Sequence, residues 1–151
     1  MAEFRIRKAV ESDLLEIIRL WKRNIKTINT ASDIAELFYS FENYFFVAAS
    51  TSASIEGKPI GFVGGAIREE HGHISGIAVD KEYRRNGLGK GLIKAVEQEF
   101  LTDAFEAVTL EVRKSNRDAR GFYEKQGYKP SYTIRRYYAD GEDAVVYEKR
   151  I

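Results

Sequence analysis

At 151 residues, 44 % hydrophobic and 31 % charged, the chain has the length and balance of one soluble domain with a real core. It has no cysteine and two histidines in one tripeptide, which excludes a disulfide framework and a thiolate metal site and leaves no basis for a structural zinc. A net charge of +1 argues against general or sequence-specific nucleic-acid binding, and no apolar run approaches the ~18 residues of a membrane span.

Phe4 to Lys8 alternates and predicts a first strand. Ser12 or Asp13 then caps a helix, with Asp13-x-x-Glu16 as a capping box and Leu14, Leu15, Ile17, Ile18, Trp21 and Ile25 as its buried stripe. Residues 24–33 are polar and loop-like, and a short helix follows over Asp33 to Ser40. Tyr44 to Ala49 and Ile60 to Ile67 read as a strand pair with Glu56-Gly57-Lys58 in the turn. His73 to Val79 is a fourth strand, followed by the loop Asp80–Gly91 with Arg84, Arg85, Gly87, Gly89 and Gly91, and then a helix from Leu88. Ala107 to Arg113 is strand five, and Ser115-x-x-Asp118 is a second capping box for helix four, which Gly127 closes. Tyr132 to Tyr138 and Ala144 to Lys149 form a closing antiparallel pair. The order βααβββαβαββ predicts an α/β domain with a mixed sheet over residues 1–151.

Residues 113–136 carry eight basic residues against Asp118 and Glu124, a net of +6, while 140–148 is acidic without a base. Most such residues are solvated surface; some could face a polyanionic cofactor or an acidic partner.

The arginine–glycine loop is the most informative stretch. Strand, glycine-rich basic loop and helix together expose free backbone N–H groups at the positive end of a helix dipole, a site for an anion. It is not a P-loop, because Gly91 follows Lys90 where a Ser or Thr is needed, and Gly87-Leu88-Gly89-Lys90-Gly91 lacks the GxGxxG spacing. Arg84-x-x-Gly87-x-Gly89 does match the [QR]-x-x-G-x-[GA] loop of the acetyl-CoA-dependent acetyltransferases of the GNAT superfamily.

Three further segments resemble that family: Leu110-Glu111-Val112-Arg113, Asn116 with Phe122-Tyr123-Glu124-Lys125-Gln126-Gly127-Tyr128, and the hairpin from Arg136 to Ala144. The hairpin, with its YY-x-D-G-x-DA pattern, is similar to the protein N-terminal acetyltransferases: the NatA catalytic subunit, its archaeal relatives and the RimI enzymes. Residues 60–151 carry the resemblance; the first 60 match only in pattern. It implies a GNAT fold with a mixed, mostly antiparallel central sheet, flanking helices and acetyl-CoA at the splay between strands four and five. It implies cofactor contacts from the main chain of Ile77, Ala78 and Val79, from Arg84, Arg85, Asn86, Gly87, Leu88, Gly89, Lys90 and Gly91, and from Asn116 and Tyr123. It implies direct transfer, with Glu111 as base, His73 as second base candidate and Tyr123 as acid to the leaving thiolate. No metal is needed. His73 suits proton transfer if it keeps its ordinary pKa of about 6.5. Tyr137 and Tyr138 would bond the incoming peptide, with Ile25 and the loop 24–33 as the facing wall.

The expected reaction is acetylation of protein N-termini that start with Ser or Ala, with Met-starting chains as a further class. The expected setting is cytoplasmic and near the ribosome, as a monomer or weak dimer; the need for an auxiliary subunit stays open. Two alternatives carry different marks. An acetyltransferase for small amines would share the loop without the tyrosine hairpin. A non-enzymatic acyl-CoA-binding module would need neither Glu111 nor Tyr123.

Overall fold

A computed structural model describes residues 3–151. The elements are β1 (Phe4–Lys8), α1 (Leu14–Asn24), α2 (Ala31–Ser40), β2 (Phe45–Ser50), β3 (Pro59–Arg68), β4 (His71–Val79), α3 (Leu88–Thr102), β5 (Ala107–Arg113), α4 (Arg117–Lys125), β6 (Lys129–Ile134) and β7 (Ala144–Arg150). They build one seven-stranded sheet in the order β1-β2-β3-β4-β5-β7-β6. Every neighbouring pair is antiparallel except β4 and β5.

Alternation along the strands feeds two cores, one on each face. Phe46 and Ala48 of β2 join Leu92, Val96 and Phe100 of α3 and Tyr123 of α4, while Phe45 and Val47 join Ile17 and Trp21 of α1 and Ile34 and Phe38 of α2. The stripe of α1 is Ile17, Leu20 and Trp21, with Leu14, Ile18 and Ile25 at its border; Leu15 is 60 % exposed. Two residues on from Leu15, Ile17 is turned by about 200°, so the two cannot share a face.

Several helix and strand ends differ from expectation. Asp13 does not cap α1 through its side chain. It accepts the Val10 N–H at 2.9 Å and binds Arg7 at 2.6 and 2.9 Å. The capping box belongs instead to α2, between Thr30 and Asp33, so that helix starts earlier than predicted. Asn116, not Ser115, caps α4 by accepting the Ala119 N–H at 3.1 Å; the Ser115 N–H goes to Glu142 at 2.9 Å. The strand β6 begins at Lys129, because Pro130 is tolerated at a sheet edge, and ends at Ile134. Arg136 has φ +53°, which breaks the ladder, so Tyr137 and Tyr138 lie on the loop and not on the strand. That loop is built: the Tyr138 N–H bonds Glu142 at 3.1 Å and the Arg136 N–H bonds Asp143 at 2.9 Å.

The feature that positions the site is the seam between β4 and β5. Pairing there is limited to Gly72 with Val108 and His73 with Thr109. Against β3, Gly64 faces Gly76 but Gly65 faces Ile74, so Ser75 is an extra residue in β4. A bulge bends its strand and deepens the twist, which turns β4 away from β5 just past His73. Gly76 follows the bulge; a Cβ there would stand 2.9 Å from the Trp21 ring, so only glycine lets α1 lie this close to the splay.

Candidate active site

Three adjoining cavities, of about 410, 320 and 580 Å³, form one cleft across the splayed seam. The first lies over the arginine–glycine loop, between Ile77–Val79 of β4 and Phe122 and Tyr123 of α4. The second occupies the splay, with Asn116, Tyr123, Glu111 and Tyr138 on its walls. The third opens between the α1–α2 loop and the tyrosine loop. Asn24, Ile77, Ala119 and Tyr123 line both of the first two, and Glu111, Arg113, Ile25 and Tyr138 line both of the last two.

At the loop end, Gly87 has φ +83° and starts α3, a conformation that L side chains rarely adopt. The Gly91 N–H bonds the Gly87 carbonyl at 3.1 Å. The N–H groups of Leu88, Gly89 and Lys90 precede it in the first turn, where a helix supplies no acceptor. Arg85 and Lys90 stand beside them on the cavity wall. This cradle fits the phosphates of acetyl-CoA by charge and by donor type. Arg84 also lines the cavity, but its Nε donates to the Val79 carbonyl at 3.1 Å and its Nη2 to Asn24 Oδ1 at 2.8 Å. Two expected contact residues lie off the cavity. The Gly91 position faces Ile6 of β1, and Asn86 Nδ2 braces the loop through the Tyr83 and Arg84 carbonyls, each at 3.1 Å.

In the splay, Glu111 sits at a junction. Its carboxylate accepts from Tyr137 Oη at 3.0 Å, lies 3.4 Å from Arg68 Nη1 and 3.5 Å from His73 Nε2. Its side chain is 11 % exposed and lines the cleft. His73 is not at the surface. It is 1 % exposed, and its Nδ1 lies 3.1 Å from Thr109 Oγ1. Burial lowers its pKa to about 3, aided by the positive charge of Arg68 and by His71. The near-neutral pKa that recommended His73 as a base is therefore absent, and the ring is neutral at physiological pH. In the tautomer that carries its proton on Nε2, the ring accepts from Thr109 at Nδ1 and turns its N–H toward Glu111.

Because the folded His73 refuses a proton that the unfolded chain accepts below about pH 6.5, the folded state loses stability as pH falls from there toward 3. Replacing His73 with Asn should flatten thermal-melt midpoints across pH 4–6.5; an unchanged slope would mean that His73 does not carry this term.

Tyr123 is buried, and burial, then Tyr138, raise its phenol above the ordinary value. Tyr123 lines the first two cavities, and its hydroxyl makes no hydrogen bond to the described residues. Asn116 spends Oδ1 on its cap and lines the splay. In the third cavity, Tyr137 is already engaged by Glu111, whereas Tyr138 packs edge-on against Tyr137 with the Arg113 guanidinium 4.0 Å from its ring centre. Burial pushes the Tyr138 hydroxyl up to about 12, against the pull of Arg113. Sequence reading missed Arg68, Thr109, Asn24 and Arg113. Each acts by position on a neighbouring element, and only the odd placement of Thr109 and Arg113 on the Glu111 face of β5 signalled any of them. No metal-binding cluster of His, Cys, Asp and Glu occurs among the described residues.

The fold, the splayed parallel pair and the helix-borne anion cradle define an acyl-CoA-dependent acyltransferase. Residues 12–128 match the model of the acetyltransferase (GNAT) family, and the chain belongs to it. An uncharacterized N-acetyltransferase of Methanocaldococcus jannaschii is 35 % identical over 96 % of this chain and 90 % of its own length. An N-alpha-acetyltransferase of Sulfurisphaera tokodaii is 33 % identical over 94 % and 90 %. The crystal structure of Ard1 from Thermoplasma volcanium superposes with a TM-score of 0.89 at 26 % identity, covering 98 % of this chain and 97 % of that one. GNAT enzymes use acetyl-CoA as acetyl donor. No helix among the described residues is long and apolar enough to cross a membrane.

Proposed function

We propose that residues 1–151 act as one catalytic unit that transfers an acetyl group from acetyl-CoA to the α-amino group of protein N-termini. The carrying observation is the continuous cleft with a carboxylate at its midpoint: a phosphate cradle at one end, a tyrosine-walled cavity at the other, and Glu111 between them. The archaeal relative named N-alpha-acetyltransferase supports the same substrate class.

Acetyl-CoA supplies a thioester when bound, held by the cradle from Gly87 to Lys90, by Arg84 and Arg85, by the main chain of Ile77, Ala78 and Val79, and by Asn116. Glu111 takes the proton that the attacking amine must give up, directly or through a water. The N–C bond forms as the C–S bond breaks, and the Tyr123 phenol holds a proton for the departing thiolate. His73 and Tyr137 orient the Glu111 carboxylate rather than accept protons themselves. Tyr138 and Ile25 form opposite walls for the first residues of the peptide. Trp21, Ile25, Ile28 and Ile74 make the third cavity apolar enough for Ala and Met alike.

The basic segment 113–136 leads into the tyrosine loop and supports action near the ribosome, where N-termini emerge. A cytoplasmic setting accords with the lack of cysteine.

An N-terminal α-amine has a pKa of about 7.7–8.0 and a lysine about 10.4, so their neutral fractions at pH 7 differ by more than about 10²-fold. Mass spectrometry of a peptide panel incubated with acetyl-CoA should show acetylated Ser-, Ala- and Met-starting peptides and little modification of internal lysine. Faster acetylation of spermidine or free lysine than of any N-terminal peptide would replace this reading with a small-amine enzyme.

A further inference from the structure

We propose that Asn24 is a positioning residue that couples the phosphate cradle to the peptide side of the cleft. The inference rests on the proposed function, because it takes acetyl-CoA and a peptide N-terminus as the two ligands.

Arg84 is the first half of the link. Its Nε and Nη2 are committed to the Val79 carbonyl and to Asn24 Oδ1, at 3.1 and 2.8 Å. Its Nη1 has no hydrogen bond to the described residues, and the side chain lines the cavity over the cradle. A phosphate can therefore take Nη1 without breaking either existing contact, since a guanidinium presents five N–H donors in a fixed fork. Such an anion would immobilise a group that is exposed without it.

Asn24 is the second half. It is the last residue of α1, and its Nδ2 donates to the Leu20 carbonyl at 2.9 Å, which fixes the amide against its own helix. Ile25 follows it on the wall of the peptide cavity. Lys26 then crosses the mouth of that cavity to Asp140 at 2.8 Å, and Asp140 also binds Arg113, which lies over Tyr138. The wall opposite the tyrosines is thus tied at two points, to the tyrosine loop by Lys26 and to the cradle by Asn24. The Lys26 tie is a surface pair and weak alone. Holding Arg84 with a phosphate stiffens the Asn24 tie, so part of the ordering that peptide binding requires is already done. Coupling of this kind is reciprocal: the peptide must tighten the cofactor by the same factor.

The test is calorimetry of the panel's fastest-acetylated peptide with and without saturating CoA, which cannot react. In the unmodified enzyme CoA should lower the peptide Kd by about 10-fold, within the usual range of such couplings. Asn24→Ala should bring that factor to within about 2-fold of unity. Asn24→Asp keeps the acceptor for Arg84 but gives up the donor to the Leu20 carbonyl, so it should recover only part of the factor, between Asn24→Ala and the unmodified enzyme. If Asn24→Ala fails to fold, Arg84→Lys serves instead, because it keeps the charge but cannot hold Val79 and Asn24 together. A full factor in Asn24→Ala or Arg84→Lys, or no factor in the unmodified enzyme, overturns the proposal while leaving the acetyltransferase reading intact. Should no N-terminal peptide be acetylated at all, both fall together.

Discussion

Glu111→Gln should lower kcat by about 10²-fold or more while leaving the Kd for acetyl-CoA unchanged. The amide keeps the shape of the side chain and can still meet Tyr137 and Arg68, so the cleft should hold its form; only the ability to accept a proton is lost. The neighbours sharpen the result. Tyr137 Oη at 3.0 Å and His73 Nε2 at 3.5 Å both approach Glu111 Oε1, which leaves the other oxygen without a partner among the described residues. His73→Ala should cost less if the ring, whose pKa burial lowers to about 3, serves only to orient the carboxylate. Steady-state rates near the optimum pH decide between the two. Near-full kcat in Glu111→Gln with a large loss in His73→Ala would reverse their roles, and two near-normal variants would leave the proton to water alone.

Gly89→Val should weaken acetyl-CoA binding by about 10-fold or more, and the cause differs from the one expected of a bare phosphate loop. A Cβ at Gly89 meets the Phe122 ring of α4 at 3.1 Å, tighter than an ordinary contact, and valine's two methyl groups add to the crowding. Either Phe122 swings into the cavity it lines or the first turn of α3 shifts, and both spoil the cofactor end of the cleft. Overpacking of this kind costs about 1–3 kcal/mol of stability, so a folded protein should still be available for calorimetry. Gly89→Ala should fall between the two, because a single methyl asks the ring for only a small move. A folded Gly89→Val protein with normal affinity would remove Gly89 from the cofactor site.

Much of the frame was legible because it rests on local rules. The alternation of Ala107–Arg113 fixed β5 to the residue, and Gly127 adopts the left-handed conformation, φ +95°, that its place after α4 implied. The loop Arg84–Gly91 announced its chemistry by composition. What stayed hidden depends on partners distant in the chain. Nothing near Asp13 says that Arg7 will claim it in place of the α1 cap. Nothing near His73 says that it will be sealed between β3 and β5, since the run Glu69-Glu70-His71-Gly72 just before it suggests a surface turn. Tyr137 looks like a substrate contact until the splay brings Glu111 to its hydroxyl. The family resemblance supplied the direction of these groups, but not which tyrosine was already spoken for.

The short seam at Gly72 and His73 has a mechanical consequence. It divides the sheet into two plates. One, β1 to β4, bears the phosphate cradle; the other, β5, β7 and β6, bears Glu111 and the tyrosine loop. Each plate is stiff, for β3 pairs with β4 at eight positions and β5 with β7 at seven, whereas two positions join plate to plate. The gap between donor and acceptor is therefore an angle before it is a distance. Ser75, the single surplus residue in β4, works as a shim that sets it.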